Sequence, residues 1–411
     1  MRFIHTSDWH LGRSFHQVGL LAAQAHYLDH LVDVVRSERV DAVLVAGDVY
    51  DRALPSPETV LLLSDAVTRI VDVGAQVVLS SGNHDSAIRL GFAADLLSRS
   101  GLHIRSSVAS IGRPVLVGDV AVHPLPYLEP VAVAEALGAT ERTHAGVLRA
   151  ALRRVEADLA GRSGPSVVMA HAFVTGGATS DSERDISVGG VSAVHPDLFA
   201  GAGYAALGHL HGHQEISVRV RYSGSPVAMS FSEARHTKGS WLVDLTGDAA
   251  RPVVDATFVE APVERSVRVL RGDLDDLLGD PRLAGAETAY CQVTLTDPTR
   301  PLGAMERLKR RFPHTLVLHW EPQGAPISLE SYAAKVGSRR DDLDVCCDFL
   351  GHVRGGVAAS ADERLLLRDA LDASRVEQAR HADEIGAMLP GFEDLVPAAQ
   401  GDPEGARAGV A

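Results

Sequence analysis

The sequence predicts an α/β protein in which a β-sandwich flanked by helices precedes a smaller α/β capping unit and a helical C-terminal region. Three observations carry this expectation. Short apolar runs of strand length recur, and each ends in a polar cluster: Phe3-Ile4 before Asp8-Trp9-His10, residues 43–46 before Gly47-Asp48, 77–79 before Gly82-Asn83-His84-Asp85, 167–170 before His171, and 204–207 before Gly208-His209-Leu210-His211. Segments of helical spacing separate the first of these runs, the pattern of helices packed on a largely parallel sheet. Near residue 262 the clusters stop while strand and helix patterns go on, and 411 residues at 43.6 kDa exceed a single ordinary core.

Taken in order, residues 20–37 place Leu21, Ala25, Leu28, Leu31, Val32 and Val35 near helical spacing, so this helix returns over the sheet before the strand at 43–46. Pro57 suits a helical first turn and Gly74 a stop, which predicts a helix over 57–73. Another helix is expected over 143–159, after which a Gly-Arg-Ser-Gly-Pro loop leads to the strand carrying His171. Residues 215–220, 239–245 and 253–259 read as antiparallel strands completing a second sheet. The capping unit reads as strand 265–270, helix 274–278, strand 289–296, helix 302–311 and strand 315–320. Leu343, Cys347, Leu350 and Val353 mark a further helix and 365–370 another, while the Pro-, Gly- and Ala-rich segment 391–411 reads as a disordered tail. The expected units are therefore 1–260, 261–335, 336–390 and the tail 391–411.

A hydrophobic content of 45% excludes a disordered chain. Cys291, Cys346 and Cys347 form neither a disulfide framework nor a C-x-x-C site, which fits a reducing cytoplasm. The chain opens directly into a strand, with no uncharged apolar stretch approaching membrane-spanning length, so secretion and membrane insertion are not expected. A formal charge of −14 argues against strong DNA binding by the chain alone, because that affinity comes mainly from basic groups on phosphates. Metal ions invert the local potential of an acidic cluster, and a partner can supply basic surface. Neither Gly176-Gly177 nor Gly189-Gly190, which flank the polar run 179–185, matches a P-loop, so no nucleotide is expected to bind this chain.

The clusters share one chemistry. Two divalent cations held close together need a bridging carboxylate, with oxygen and imidazole ligands around it. Asp48 is the natural bridge; Asp8, His10, Asn83, His171, His209 and His211 supply the other donors, a set that suits manganese and also admits magnesium, iron, zinc or cobalt. His213 extends the series to H-x-H-x-H and is expected to lie outside the ligand set. Arg13, Phe15 and His16 are candidates for phosphate contact or base stacking.

The ordered elements D-x-H, G-D, G-N-H-D, H and G-H-x-H resemble the binuclear, calcineurin-like metallophosphoesterase superfamily. The flanking words from His5 to Gly12, Val45 to Asp51 and Gly82 to Ser86 are similar to its SbcD family of bacterial nuclease subunits, counterparts of the archaeal and eukaryotic double-strand-break repair nuclease. The resemblance implies a first metal held by Asp8, His10, Asp48 and His211, and a second held by Asp48, Asn83, His171 and His209, with manganese favoured. It implies His84 as the catalytic contact to the scissile phosphate or leaving oxygen, with Asp85 as an acceptor anchoring His84 or a ligand histidine. Asp51 stands where archaeal and eukaryotic relatives carry a histidine, as in bacterial members. A cap that selects DNA form follows, with Arg307, Lys309, Arg310 and Arg311 as candidate phosphate contacts. The helical region is expected to bind an SbcC-like coiled-coil ATPase, and helices 57–73 and 89–99 to pair in a homodimer within a heterotetramer. The implied function is ATP-dependent double-strand exonuclease and single-strand or hairpin endonuclease activity in DNA repair, recombination and replication. The alternatives are a small-molecule phosphodiesterase or phosphatase and an inactive scaffold for an ATPase.

Overall fold

The computed structural model describes residues 1–184, 193–322, 341–353 and 358–383. Its strands begin with β1 (Arg2–Thr6), a two-residue hairpin of β2 (Ser14–Phe15) and β3 (Val18–Gly19), β4 (Ala42–Ala46), β5 (Gln76–Ser80) and β6 (Leu102–Arg105). There follow β7 (Val115–Val117), β8 (Val120–Pro124), β9 (Ser166–His171), β10 (Tyr204–Gly208), β11 (Gln214–Ser217) and β12 (Val220–Tyr222). The series ends with β13 (Gly239–Gly247), β14 (Pro252–Glu260), β15 (Val267–Gly272), β16 (Tyr290–Leu295) and β17 (Thr315–Trp320).

Two six-stranded sheets face each other, in the orders β14-β13-β1-β4-β5-β6 and β11-β12-β10-β9-β8-β7. Alternation along β4 shows how they pack. Val43 and Val45 join a core with Leu28, Leu31 and Val35 of the helix Leu21–Glu38 and with Leu63 and Ile70 of the helix Pro57–Asp72. Ala42, Leu44 and Ala46 face the other way, into a core shared with Val122, Val167, Met169 and Ala206 of the second sheet. On the far side Val168, Ala170, Ala205 and Leu207 pack on Val147, Ala151 and Val155 of the helix His144–Leu159. The inner strands are thus buried on both faces, which is why they read as unbroken apolar runs.

Several elements differ from the sequence expectation. The strands β13 and β14 extend the first sheet, with β13 antiparallel to β1, so they do not complete the second sheet. The segment expected as one strand over 215–220 is a hairpin: β11 and β12 are antiparallel around exposed Val218, and β12 runs parallel to β10. The helix expected over 89–99 is interrupted, since Ala93 adopts a left-handed φ of 56° between the short helices Ala87–Leu90 and Ala94–Leu97. The short strands β6, β7 and β8 were not anticipated.

The cap is a parallel sheet, β15-β16-β17, whose core joins Leu270, Val293 and Leu295 to Leu274, Leu277, Leu308 and Phe312. It meets the sandwich where Val267 packs with Phe15, Leu20, Met229 and Phe231. Arg307 pairs with Asp275, Arg310 with Glu306, and Arg311 with Glu287 and the carbonyls of Leu277, Leu278 and Asp280. Arg311 therefore ties the cap together and is not a free phosphate contact. Beyond it lie the helices Asp342–Val353 and Ala361–Asp383, the second much longer than its apolar pattern suggested and joined to the first by Arg364–Asp344 at 2.6 Å and Arg375–Asp342 at 2.8 Å. The expected tail 391–411 lies outside the described residues, as do Gly189, Gly190 and Asp185. Among the described residues, no helix is long and apolar enough to cross a membrane.

Candidate metal centre

The chain turns sharply where its inner strands end. Asp8 (φ 53°), His10 (φ 42°), Asp48 (φ 49°) and His209 (φ 103°) all occupy left-handed backbone conformations unusual for residues other than glycine, the kind of local strain that concentrates at functional sites. Two of these turns run side by side, with the N–H groups of Asp8, His10 and Leu11 donating to the carbonyls of Gly47, Asp48 and Val49 at 3.1, 2.9 and 2.9 Å. The second sheet joins them where the His209 N–H donates to Asp8 Oδ1 at 3.0 Å. Glycines make this approach possible: a Cβ on Gly47 would lie 2.3 Å from His171 Nδ1, one on Gly82 2.1 Å from Asp48 Oδ1, and one on Gly208 1.9 Å from the Ala46 carbonyl oxygen.

Among the described residues, ligating atoms of Asp8, His10 and His211, of His10, Asp48 and His84, and of Asp8, Asp48 and His171 form three sets, each within 4.8 Å. Asn83 Oδ1 is 2.9 Å from His171 Nε2, and the His209 ring sits edge-on to His171 with centroids 5.4 Å apart. All seven residues expected as ligands thus meet at one place, and His84 joins them.

Donor chemistry tests whether cations fit. His171 Nδ1 faces the Ala46 carbonyl at 3.0 Å; a carbonyl only accepts, so Nδ1 carries the proton. In the neutral ring Nε2 then turns its lone pair on Asn83 Oδ1 and on Asp48 Oδ2, 3.4 Å away. His10 Nε2 and His211 Nε2 similarly face each other at 3.2 Å. Lone pairs converging in a buried space need a positive charge between them, and the donor set fits a pair of divalent cations. With no cation bound, a proton on Nε2 relieves that convergence, since Asp48 and Asp8 hold His171 up at about 9 although burial alone would push it down; a ligated cation would displace this proton. Burial and the neighbouring Asp48 raise Asp8 to about 7 despite His171, while Asp48, against its own burial, is held well below the usual carboxylate range by His171, His84 and His10. Burial lowers His10 to about 4 and depresses His209 strongly, keeping these rings neutral and able to ligate.

His84 is half-buried, its ring edge-on to His10 with centroids 4.7 Å apart. Its Nδ1 lies 2.9 Å from the Asp51 carbonyl and so carries the proton there, leaving Nε2 for another partner. Asp85 does not anchor an imidazole as expected. Its carboxylate accepts from the backbone N–H groups of Val49 at 3.1 Å, Tyr50 at 2.9 Å and Gly82 at 2.9 Å, tying the two glycine turns together. The Asp51 carboxylate takes Arg13 Nη1 at 3.0 Å and lies 3.6 Å from His10 Nδ1, so it orients its neighbours. Arg13 is thereby held at the groove edge, and its Nη2 also donates to the Ser182 carbonyl at 3.0 Å. Phe15 cannot stack on a base, being buried against Phe231 and Tyr290, whereas His16 is exposed. His213 stacks on Phe258 at 3.9 Å, outside the ligand cluster as expected.

A groove of about 1200 Å³ opens beside these residues, lined by Arg13, Asn83, His84, Tyr127, Glu129 and Arg184 among others. The surroundings add contacts that the sequence reading did not name, although it did expect the loop around 179–185 near the groove. Tyr127 donates to Glu129 at 3.1 Å on the groove wall. The polar run from 179 onward folds onto the site: Ser182 Oγ lies 2.5 Å from His211 Nδ1, Glu183 accepts from the His211 N–H at 2.7 Å, and buried Glu233 and Lys238 pair behind them. No spacing rule marks these residues, because Glu233 and Lys238 approach His211 only after the sandwich closes.

Comparison with known families gives two matches. Residues 1–186 match the calcineurin-like phosphoesterases, a span that reaches through β9 and stops short of His209 and His211. Residues 263–352, which hold the cap and the helix after it, match the Type 5 capsule protein repressor C-terminal domain, SbcD_C. The chain accordingly carries a calcineurin-like phosphoesterase domain over residues 1–186 and an SbcD-type C-terminal domain over residues 263–352.

Proposed function

We propose that this chain is the nuclease subunit of an ATP-dependent DNA-processing complex, hydrolysing phosphodiester bonds with two divalent cations, most suitably manganese. One observation carries the reading: seven ligand-type side chains, drawn from strand ends of both sheets, converge beside an open groove of about 1200 Å³ in a chain with an SbcD-type C-terminal domain. In this reading Asp8, His10, Asp48 and His211 hold one cation, Asp48, Asn83, His171 and His209 the other, and Asp48 bridges them. Such a pair supplies positive charge to the phosphate oxygens and makes water a competent nucleophile at neutral pH. The protein's own part is to fix the donors and to present His84, whose Nε2, once the ring is doubly protonated, donates to the scissile phosphate or delivers its proton to the departing sugar oxygen. Asp85 keeps that geometry by clamping the backbone just after Asp48 to the Gly82 turn.

The partner is an SbcC-like coiled-coil ATPase docking on the helices after the cap, where Phe349, Leu365 and Leu366 are exposed. The charge of −14 supports a division of labour in which the partner supplies most of the grip on DNA and its ATP cycle opens or closes the groove. Duplex exonuclease and single-strand or hairpin endonuclease activities follow from that gating. Exposed Val60 and Leu61 on the helix Pro57–Asp72, with exposed Phe92 and Leu96 in the stretch of short helices after β5, support a symmetric homodimer within a heterotetramer. The test is a manganese-dependent nuclease assay on hairpin and blunt duplex DNA, run with the chain alone, with ATPase, without ATP, and with Asp48→Ala. Cleavage is expected to need the partner and ATP at duplex ends and to vanish in Asp48→Ala. Duplex-end hydrolysis undiminished without partner and ATP removes the gating, and activity surviving Asp48→Ala removes the two-cation chemistry.

A further inference from the structure

The strand end carrying His211 is held from three directions. Its N–H donates to Glu183 Oε1 at 2.7 Å, its carbonyl accepts from Lys238 Nζ at 2.8 Å, and its Nδ1 lies 2.5 Å from Ser182 Oγ. Lys238 is 6% exposed; its other donors go to Ser225 Oγ at 2.9 Å and to the Glu233 carboxylate, which is 1% exposed. Glu233 also accepts from the Ser182 hydroxyl and from the Met229 N–H at 3.2 Å.

The proton count in this chain of groups has one solution. An ionised carboxylate only accepts, so the single hydroxyl hydrogen of Ser182 points to Glu233. Ser182 Oγ then has only lone pairs to offer His211, so Nδ1 must carry the imidazole proton. His211 Nε2, facing His10 Nε2 at 3.2 Å, is left as a lone pair. Lys238 balances the buried carboxylate and grips the ligand's own backbone, so one ion pair controls both the position of His211 and its tautomer. Such outer partners of a ligating histidine fix its ring and raise its basicity.

Resting on the two-cation reading above, we propose that Glu233, acting through Ser182 and braced by Lys238, is the positioning residue that fixes the ligating tautomer of His211 and couples the groove loop around Ser182 to the cation site. Ser182 is then the joint between them. It belongs to the same loop as Arg184, which donates to the Asn83 carbonyl at 3.2 Å, so the loop touches the backbone of one expected ligand and the ring of another.

The test uses the metal-stripped full chain and MnCl2 as probe, measured by titration calorimetry, with 15N-histidine spectra to read the His211 tautomer. Wild type is expected to take up two ions and to show His211 protonated on Nδ1. Ser182→Ala and Glu233→Gln should weaken one ion by ~10–100-fold and shift His211 toward a tautomer mixture. Ser182→Thr, which restores the hydroxyl, should recover both properties. Glu233→Gln leaves Lys238 buried without its counter-charge; if that variant does not fold, Glu233→Gln with Lys238→Met removes both charges and is expected to fold and still bind weakly. Two ions at wild-type affinity and an unchanged tautomer in Ser182→Ala and in the double variant would overturn the inference while leaving the two-cation reading intact. A wild type that takes up no manganese, or an Asp48→Ala variant that binds like wild type, would instead remove the reading on which it rests.

Discussion

Replacing His84 with alanine should separate chemistry from cation binding. Its Nδ1 is committed to the Asp51 carbonyl, and its ring borders the groove beside His10. His84→Ala is expected to lower kcat by ~10²–10⁴-fold while elemental analysis still finds two manganese ions; unchanged turnover would take His84 out of the reaction. A second residue governs acid stability. His5 is fully buried, with Nε2 3.1 Å from the Leu207 carbonyl and Nδ1 3.0 Å from the Tyr204 hydroxyl. Leu207 can only accept, so the neutral ring carries its proton on Nε2 and accepts from Tyr204. Burial lowers its pKa to about 3 from 6.5. The folded chain therefore binds a proton at His5 less readily than the unfolded chain does. That contribution is complete above pH ~6.5 and is lost toward pH 3 by about 1.4 kcal/mol per pH unit. Urea unfolding of wild type and His5→Gln between pH 7 and 4 checks this, and an equally steep acid limb in the variant would count against it. At this scale the convergence of Asp8, His10, Asp48, Asn83, His171, His209 and His211 was readable because each follows an apolar run. Glu233 lies in a polar stretch, Ser-Phe-Ser-Glu-Ala-Arg, that reads like any exposed turn, so its burial had no local signature.

At the scale of elements, Gly208 carries the clearest prediction. Its added Cβ would sit 1.9 Å from the Ala46 oxygen and 3.0 Å from His171 Nδ1, and neither β4 nor β10 can yield without parting the two sheets. Gly208→Ala should cost ~1–3 kcal/mol in denaturant unfolding and weaken manganese binding; a variant as stable and as avid as wild type would show that the sheets are not locked there. The motif glycine thus has a packing reason. The strands β4, β5, β9 and β10 were legible because burial on both faces leaves an unbroken apolar run. Placement of the outer strands was not. Along β14 half-buried and exposed positions largely alternate, which marks one covered face but cannot name the neighbour in the sheet, and the pairing of β13 with β1 is fixed by contacts more than 200 residues apart in sequence.

For the molecule as a whole, an acidic net charge and an open groove beside the proposed cation site set the expectation that the chain alone holds duplex DNA weakly and that the proposed ATPase partner makes binding salt-sensitive. Fluorescence anisotropy across a salt series, with and without the ATPase, reads this directly; nanomolar, salt-sensitive binding by the chain alone would refute it. Metal removal gives the second prediction at this scale. Only the folded chain gathers all these donors, so manganese at one hundred times its dissociation constant should add about 2.7 kcal/mol per independent site. The melting temperature should rise with manganese, fall with a chelator and respond far less in Asp48→Ala, whereas a metal-indifferent melt in wild type would contradict the arrangement.

The division of the donors between the two sheets has a consequence for the life of the protein in a cell. Asp8, His10, Asp48 and Asn83 follow strands of one sheet, while His171, His209 and His211 come from the other, so in the proposed arrangement each cation would act as a rivet through both layers. A molecule short of the metal would then be not merely idle but looser, opening more often to proteases. Supply of the ion would thereby set the abundance of the enzyme together with its activity, and unloaded copies would be cleared before they could occupy a partner to no purpose.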